Sequence, residues 1–422
     1  MLTKGGDAMG AAASLSDLLS DEGRRNPYGF YARLHDRGEV VPLGPADRYA
    51  VVVCGYEAVN RALCDPGLRV PDAEYTDRHG RWWRDHAAPR TLLAAYSNLN
   101  GPDHARVRRL FGQAVTTRRV SALEQAITRI ADRWIDRLAD LGAGGRPVDF
   151  VTTFARPFPL DVIGELLGVP EPDRAWFPPR VEDFDAVVEV GAHSLRQVKA
   201  ANGAAVELTA YFAGLLASRR AEPREDLVSD LVRANGAEKL TEPELLAGLI
   251  LTFNAGFRTA MSMFGNGLAL LIEHPGAMAA LRADPALAPA YVDEILRYEP
   301  PLHCAVRFAS RDTEIAGVPV SAGELVLILI AAANRDPRRF PDPDRFDPTR
   351  RDNHHLTFGA GPHYCPGAAL GRMEGRLALP RLLARFPSLT LAAELAERRQ
   401  LMLRGFDHLP VRVGDRAAVT VP

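Results

Sequence analysis

The sequence contains little cysteine and has no apolar run at its amino terminus. Only four cysteines occur in 422 residues, and no two of them form a Cys-x-x-Cys pair. Thiols so few and so scattered exclude a disulfide framework and a zinc ribbon, and they are typical of a reducing compartment. Residues 1–20 are rich in Ala, Gly and Asp, so we expect an unstructured tail there, without a signal peptide or membrane anchor. We therefore expect a cytoplasmic protein with no membrane partner.

An excess of charge of one sign is also absent. The chain has 51 Lys and Arg against 53 Asp and Glu, a formal net charge of -2. Such a balance provides no long-range field for nucleic acid. Ser/Gly-rich and Pro-rich spacers are missing as well, although the length alone would suggest two or three domains of ~150 residues. We expect one domain over residues 1–422, monomeric and without a nucleic-acid partner.

Helical periodicity dominates what the sequence does contain. A short helix is predicted at residues 28–36 and a hairpin at 39–53, and helical spacing continues from about 120 to 233. After Arg297 the pattern changes to short strands and turns, until a last helix follows Cys365. The fold class we predict is mainly α with a small β region.

The longest predicted element is a helix that ends at His274-Pro275. Thr241 and Glu244 form a capping-box pattern at its start, and its length is about 50 Å at 1.5 Å per residue. Nearly every face is apolar between Leu245 and Leu271. A helix that is apolar all round is buried, so this one should run through the interior.

The most specific motif is Phe-Gly-Ala-Gly-Pro-His-Tyr-Cys-Pro-Gly at residues 358–367. Its glycines let the backbone bend tightly and approach a flat ligand. Pro366 stands where a first helical residue is expected, so Cys365 would lie at the amino end of a helix, where amides and the helix dipole favour a thiolate. A buried structural cysteine before a helix is the ordinary alternative. The pattern that argues against it has five fixed residues: Phe358, Gly359, Gly361, Cys365 and Gly367.

This segment resembles the heme-binding loop of the cytochrome P450 family, Phe-Gly-x-Gly-x-His-x-Cys-x-Gly, and the likeness covers nearly the whole chain. The resemblance implies a cytochrome P450 fold with a long central helix over heme b (iron protoporphyrin IX). Cys365 would be the axial thiolate and the only metal ligand from the protein, and such a thiolate favours O–O cleavage. The family resemblance also implies an oxidoreductase, a monooxygenase or oxidase, that acts on a small molecule with electrons from ferredoxin and ferredoxin reductase.

Two further segments carry the resemblance. Glu294-Ile-Leu-Arg297 is similar to the family's Glu-x-x-Arg helix, whose buried pair joins an arginine of the following meander, here Arg345, in a structural role. His104-Ala-Arg-Val-Arg108 is similar to the helix that reaches the heme propionates, which need charge-assisted donors. The resemblance assigns propionate or heme contacts to His104, Arg108, Arg307, His363, Phe358, Gly359 and Gly367.

The long helix departs from the family pattern Ala/Gly-Gly-x-Asp/Glu-Thr, because it reads Ala255-Gly256-Phe257-Arg258-Thr259. By resemblance, Gly256 permits a local distortion that makes room for dioxygen, and Thr259 is the alcohol of an acid–alcohol proton relay. The acid is missing. Arg258 stands in its place, and an arginine stays protonated and is a poor relay.

Three readings of Arg258 remain open. It points away while water relays protons through Thr259, or it binds an anionic or carbonyl group of the substrate. The third reading is other chemistry, namely peroxide-driven oxidation or radical coupling of aromatic substrates. An alternative function outside the enzymes is a catalytically impaired heme protein that binds a ligand or gas. Retention of Gly256, Thr259 and the cysteine loop favours the enzyme.

The substrate site is predicted by resemblance to combine an aromatic loop at residues 72–98 with three other segments. A mostly apolar pocket with Asn254 and His303 as polar groups suits a medium-sized, partly aromatic metabolite. We expect natural-product biosynthesis, by hydroxylation or by oxidative C–C or C–N coupling. The predicted lining residues are Trp82, Trp83, Tyr96, Asn254, Ala255, Phe257, Leu302, His303, Met402 and Leu403.

Overall fold

The computed structural model describes residues 15–114, 117–186, 194–234, 240–397 and 400–414. Helices predominate, as predicted, and most of them pack around one helical core. The α-helices are α1 Ser16–Leu19, α2 Asp21–Arg25, α3 Tyr28–Arg37, α4 Tyr56–Cys64, α5 Ala73–Arg78, α6 Ala87–Ala94, α7 Gly101–Ala114, α8 Thr117–Ala122, α9 Glu124–Gly142, α10 Pro157–Leu167, α11 Glu171–Arg174, α12 Phe177–Asp185, α13 Leu195–Ala221, α14 Leu227–Ala234, α15 Glu242–Glu273, α16 Pro275–Ala283, α17 Ala288–Tyr298, α18 Ile330–Ala333 and α19 Ala368–Arg385.

The strands are short and form a minor β region, as predicted. A five-stranded sheet has the order β1-β2-β8-β5-β3, with β2 and β8 parallel and the other pairs antiparallel. Its first two strands are the predicted hairpin, with Val40 opposite Val53. The strands are β1 Val40–Pro42, β2 Val51–Val53, β3 Leu68–Arg69, β4 Val148–Asp149, β5 Cys304–Ala309, β6 Thr313–Ile315, β7 Val318–Val320, β8 Leu325–Leu329, β9 Thr390–Leu391, β10 Ala396–Glu397, β11 Phe406–His408 and β12 Pro410–Arg412.

Helix α15 is the predicted long central helix. The capping box is formed, since Thr241 N donates to Glu244 Oε2 at 2.8 Å and Glu244 N donates to Thr241 Oγ1 at 3.4 Å. The helix is long and apolar enough to cross a membrane, but 72% of its most apolar stretch is buried inside the protein. The prediction of a helix through the interior is therefore confirmed.

The aromatic segment at residues 72–98 is not the long loop that its weak periodicity predicts. It contains α5, α6 and two 3-10 turns, Trp82–Asp85 and Tyr96–Asn98. Polar caps supply the order that the apolar pattern does not show. The Asp72 carboxylate accepts a hydrogen bond from the Tyr75 amide at 2.8 Å. The Asn202 side chain of α13 accepts one from the Ala88 amide at 3.0 Å.

Two predicted boundaries move. The first fourteen residues of the expected tail lie outside the described residues, but Leu15 and Leu18 are buried beside α1, so any tail ends before Leu15. The last helix begins at Ala368 with Gly367 as its N-cap. Pro366 therefore precedes the helix and is not its first residue.

Candidate active site

The cysteine loop is a tight turn between the β region and α19. Cys365 N donates to Phe358 O at 2.8 Å, and this bond closes the loop. Gly359 and Gly361 have φ of 72° and 66°, a left-handed backbone that other residues rarely adopt. A Cβ on Gly361 would lie 2.8 Å from Leu63 O, so only glycine lets the loop approach α4.

The Cys365 sulfur receives hydrogen bonds from the loop that follows it. Burial raises the pKa of the thiol, while the amides of Gly367 and Ala368, together with Arg108 and Arg372, lower it. Burial has the larger effect. The protein groups by themselves therefore favour the thiol over the thiolate expected from the helix end, and a bound cation is what deprotonates such a ligand.

A cluster of four basic side chains, which we call the basic cradle, stands beside the cysteine loop: His104, Arg108, Arg307 and His363. The rings of His104 and His363 stack at 4.0 Å, and the Arg108 guanidinium donates to the Tyr364 carbonyl at 2.5 Å. Burial lowers the pKa of His104, with a further contribution from Arg108 and Arg307. Burial also lowers the pKa of His363 to about 3 and that of Arg307 to about 10.

The basic cradle is uncompensated within the described residues. The charged groups that act on the pKa of His104 and His363 are all basic, and burial is the cause of the lowered pKa of Arg307. Arg307 is the buried cation of the cradle, and a buried cation calls for an anionic partner with hydrogen-bond acceptors. Two propionates meet that need, and the cysteine loop offers a sulfur next to them. The residues present therefore fit heme.

The Glu294–Arg297 pair of α17 is fully buried and holds the chain that leads to the cysteine loop. Two guanidinium nitrogens of Arg297 donate to the two Glu294 oxygens, each at 2.8 Å, and a third donates to the carbonyls of Asn334 and Pro343 at 2.9 Å. The prediction that Arg345 joins this pair is wrong for its side chain, which is exposed. Arg345 contributes its carbonyl, 3.1 Å from Arg297.

The arginine that reaches Glu294 is Arg350. Its Nε lies 3.4 Å from Glu294 Oε1, and its other nitrogens donate to the carbonyls of Pro341 and Asp342 at 2.6 Å. Both arginines lie in the meander, five residues apart. Asp342, which has a φ of 46°, forms a turn whose carbonyl accepts a hydrogen bond from the later one. Sequence spacing does not show this turn.

One side of α15 is accessible to solvent, although the helix runs through the interior. Between Leu245 and Leu271 the only exposed residue in this fully described helix is Ala255, and the only half-buried ones are Leu251, Thr252, Gly256 and Thr259. At 100° per residue these five positions share one side of the helix. We call them the cavity face. It bears two hydroxyls, two apolar side chains and one glycine, and no charge.

The polar group and the glycine of the predicted dioxygen site have specific partners. Thr259 Oγ1 donates to Ala255 O at 2.6 Å. A Cβ on Gly256 would lie 2.6 Å from Ile163 Cδ1 of α10. The helix is assigned as continuous through this point. What Gly256 provides here is therefore close packing of α15 on α10, and the expected local distortion is not present.

Arg258 is turned to the side of the cavity face, where α12 lies. It is buried, and its Nε donates to Asp185 Oδ2 at 2.9 Å while its Nη1 lies 3.6 Å from Glu182 Oε1. Asn254, one turn earlier, donates to the other Asp185 oxygen at 2.5 Å. The prediction of Asn254 as a polar substrate group is therefore not supported, because its amide is engaged with α12.

Phe257 also lies off the cavity face. It is fully buried in the helical core, among side chains that include Phe253 and Phe264. At 3.6 residues per turn, Phe257 is about 160° from Ala255 around the helix axis. The prediction that it lines the substrate pocket is wrong for that reason, whereas Ala255 is exposed on the cavity face.

Among the predicted aromatic residues, Tyr96 reaches the cavity face. Its hydroxyl lies 3.5 Å from Thr252 Oγ1. Burial raises the pKa of Tyr96, and Cys365 is close enough to raise it further. Trp83 is buried, with its indole N–H donating to Asp77 at 2.9 Å, and Trp82 is 57% exposed. The indole of Trp83 therefore anchors the 72–98 segment, whereas that of Trp82 is largely in solvent.

The remaining predicted lining residues lie where β5 meets the chain around residue 402. His303 is fully buried between the rings of Tyr28 and Tyr31, with Nδ1 3.1 Å from the Tyr31 hydroxyl. Its ring is therefore not available to a substrate, contrary to the prediction. The neighbouring backbones are joined, since Leu302 forms an antiparallel bridge with Leu403 and His303 N donates to Met402 O at 2.9 Å.

Comparison with known proteins decides the family. A sequence profile described as Cytochrome P450 matches residues 195–396. The 6-deoxyerythronolide B hydroxylase of Saccharopolyspora erythraea is 37% identical over 410 residues, which are 95% of this chain and 99% of that protein. This chain belongs to the cytochrome P450 family. The predicted fold and enzyme class are thereby confirmed, and heme is the group that the family brings to the cysteine loop.

Solved P450 structures have the same fold. P450BioI in complex with hexadec-9Z-enoic acid ligated to acyl carrier protein gives a TM-score of 0.85 at 32% identity, and the match covers 93% of this chain and 99% of that one. The P450 CxnD, described as forming a C–S bond in chuangxinmycin biosynthesis, gives 0.83 at 35% identity, with 93% and 95% covered.

Sequence reasoning missed four residues of this P450 site. Leu251 and Thr252 belong to the cavity face, and counting back from Thr259 by seven or eight residues would have found them, because that spacing keeps one helix face. Asp185 and Glu182 lie more than 70 positions from Arg258 in the sequence. No local signal links them to α15.

Proposed function

We propose that this P450 oxidises a medium-sized, uncharged and partly aromatic metabolite of specialised biosynthesis, by hydroxylation or oxidative coupling. The observation that carries the proposal is the uncharged cavity face of α15, bordered by Tyr96. Small-molecule sites of this kind are mostly apolar, with few polar groups that orient the ligand. Its relatives include a hydroxylase and an enzyme of C–S bond formation in a biosynthesis.

In this proposal Cys365 is the axial ligand of heme b, and His104, Arg108, Arg307 and His363 bind its propionates. Bound heme supplies the redox and dioxygen chemistry that side chains lack. The support for this assignment is the uncompensated charge of the basic cradle next to a sulfur that accepts two amide hydrogen bonds. Phe358, Gly359 and Gly367 form the wall of the loop around that sulfur.

Proton supply runs through Thr259 and water. The Thr259 hydroxyl donates to Ala255 O, so its oxygen still has lone pairs that accept a hydrogen bond from water in the cavity. Arg258 takes no part in the relay because a guanidinium keeps its protons. Of the three readings of Arg258, the one in which it points away has the support of its pair with Asp185.

Electrons come from a ferredoxin, which a ferredoxin reductase reduces, on the cysteine side of the molecule. A concavity of about 290 Å³ opens there, lined in part by Asp293, Arg372 and Arg376. The Arg372 guanidinium lies 4.5 Å from the centre of the Phe358 ring, which places this surface against the cysteine loop. Arg372 lies 2.7 Å from Asp293 and Arg376 lies 3.0 Å from Glu124, so this surface presents charges of both signs to an electron carrier.

The test begins with the reduced, carbon monoxide-bound protein, which should show the red-shifted Soret band of a thiolate ligand. A compound library is then screened for the low-to-high-spin shift, with matched pairs of neutral compounds and their carboxylate analogues. Neutral members should shift the band, and should yield product when ferredoxin, reductase and NADPH are supplied. A histidine-type band in freshly prepared protein would contradict the assignment of Cys365. Spin shifts without product would favour the ligand-binding heme protein.

A further inference from the structure

Arg258 lies at the edge of the cavity face and is held by two carboxylates of α12, those of Asp185 and Glu182. Arg258 is three residues after Ala255, so its Cβ lies about 60° from Ala255 around the helix, on the side opposite to Thr259. This position borders the cavity face. A long, flexible side chain at such a border can reach either the cavity or the neighbouring helix, and its partners decide which.

The direction of the Arg258 side chain is set by its partner Asp185, at the end of α12. Its side chain is 14% exposed and that of Arg258 is 7% exposed, so the 2.9 Å contact between them is shielded from water. The side chain of Glu182 is 42% exposed and lies 3.6 Å from Arg258, so solvent screens its share of the attraction. Asn254 donates to the other Asp185 oxygen and fixes the carboxylate in place.

Within the described residues, the ion pairs of this cluster balance. Arg156, the N-cap of α10, lies 3.2 Å from Glu182, so two guanidinium groups and two carboxylates are joined across α10, α12 and α15. Ion pairs that balance in this way do not call for charge from a ligand. Arg307 of the basic cradle, which has no acidic partner among the described residues, is the opposite case.

We infer that Asp185 is a specificity-determining positioning residue, which retains Arg258 beside α12 and thereby makes the cavity a site for uncharged ligands. The inference deepens the proposed function and rests on it, because it needs the cavity face to be the substrate site. Asp185 acts through Arg258 and does not touch the substrate. If its charge is removed, Arg258 becomes a buried cation without its main partner, and a carboxylate in the cavity can take that place.

The test uses two ligands that differ only in charge. They are 4-(imidazol-1-yl)benzoic acid and its methyl ester, whose imidazole shifts the Soret band of the heme protein, so that each Kd is read by titration. Wild-type protein should prefer the ester. In Asp185→Asn the Kd of the acid should fall at least about tenfold relative to that of the ester, the low end for a charge-assisted hydrogen bond. Adding Arg258→Gln to this variant should abolish the gain.

A matched control and a second variant keep the test decisive. Arg180→Gln breaks the 2.6 Å pair between α12 and Glu207 of α13, and it should leave the acid-to-ester ratio unchanged. If Asp185→Asn does not retain heme, Arg258→Gln with Asp185 intact removes the guanidinium partner of the carboxylate instead. That variant should bind 4-(imidazol-1-yl)benzylamine at least about tenfold more tightly than wild type.

The possible failures are distinguishable. If neither the acid nor the ester shifts the Soret band of wild-type protein, the proposed function is wrong. If both ligands bind and the acid-to-ester ratio is the same in wild type and Asp185→Asn, the role of Asp185 is refuted and the proposed function stands. A gain that survives in the Asp185→Asn/Arg258→Gln double variant also refutes it, because the gain then does not come from Arg258.

Discussion

Two regions of this P450 bury basic side chains, and they treat the charge in opposite ways. In the basic cradle, Arg307 is buried among other bases and burial lowers its pKa to about 10, whereas the half-buried His363 is neutral, with a pKa of about 3. Beside α15, Arg258 is buried against Asp185. Removing the partner of a buried charge is costly. A buried cation that the protein leaves uncompensated therefore marks the place of an external anion, and a compensated one marks a structural contact.

Glu294 and Arg297 are the clearest example of a buried cation that the protein compensates, because both side chains are fully buried. Glu294→Ala or Arg297→Ala strands the other charge, and we expect a loss of about 3–5 kcal/mol and no heme incorporation. The measurement is heme content per chain after purification, with the denaturant midpoint. As a control, Glu74→Ala breaks a pair whose side chains are 73% and 61% exposed, and should cost less than about 1 kcal/mol. A well-expressed, heme-loaded Arg297→Ala protein would contradict this.

The basic side chains of the cradle, which have no acidic partner among the described residues, should instead bind the heme. His104→Leu and Arg108→Leu should each weaken heme retention by about 1.5–3 kcal/mol, the range for a hydrogen bond to a charged group. Transfer of heme to apomyoglobin measures the loss rate. Arg109→Leu, an exposed change on the same helix α7, is the control and should leave the rate unchanged. Equal rates in all of these variants and their double mutant would show that the cradle does not hold the propionates.

The correction from Arg345 to Arg350 provides a smaller and sharper test of the same rule. Arg350→Ala removes a guanidinium that contacts Glu294 and three backbone carbonyls, so we expect a loss of about 1–3 kcal/mol in the free energy of unfolding. Arg345→Ala should change it by less than about 0.5 kcal/mol, because the side chain is exposed. Urea unfolding of the two variants in parallel decides, and the reverse order would restore the sequence-based assignment.

These cases show what the sequence can predict. The capping box at Thr241 and the Glu294–Arg297 pair are local patterns, and the structure forms both as predicted. The cysteine loop is a local pattern as well, although its Pro366 precedes the helix and does not begin it. Asp185 was out of reach, because 73 positions separate it from Arg258. Only the packing of α12 on α15 brings the two together.

The cavity face teaches a second limit. Helix spacing alone separates Ala255 from Phe257, yet resemblance assigned both to the pocket. Direction around the helix was the better guide, because successive side chains are about 100° apart. His303 failed for a different reason. A histidine next to a strand gives no sign, in the sequence, that two tyrosines enclose its ring.

A substitution of Thr259 tests the role of the uncharged cavity face in proton supply. Thr259→Ala removes the hydroxyl that we assign to proton supply, and we expect product per NADPH to fall roughly tenfold, about 1.4 kcal/mol, while hydrogen peroxide release rises. Thr252→Ala is the matched control, since it removes the other hydroxyl of the cavity face, which donates to Gly248 O at 2.7 Å. Coupling that is equal in Thr259→Ala and wild type would remove Thr259 from the relay.

His303 is a fully buried basic side chain that stays neutral. Burial lowers its pKa well below the ordinary value, and Arg404 and Arg335 lower it further. Below pH 6.5 the unfolded chain binds a proton at this histidine that the folded protein does not, so stability falls as the pH drops. One such group contributes at most about 1.4 kcal/mol per pH unit. His303→Gln should remove that share of the pH dependence, whatever its effect at pH 7.5. Urea unfolding at pH 7.5, 6.5 and 5.5 measures the slope. His354→Asn, at a side chain 86% exposed, is the control and should keep the wild-type slope. An unchanged slope in His303→Gln would mean that the folded protein accepts the proton, and that Glu299, 3.8 Å away, compensates for it.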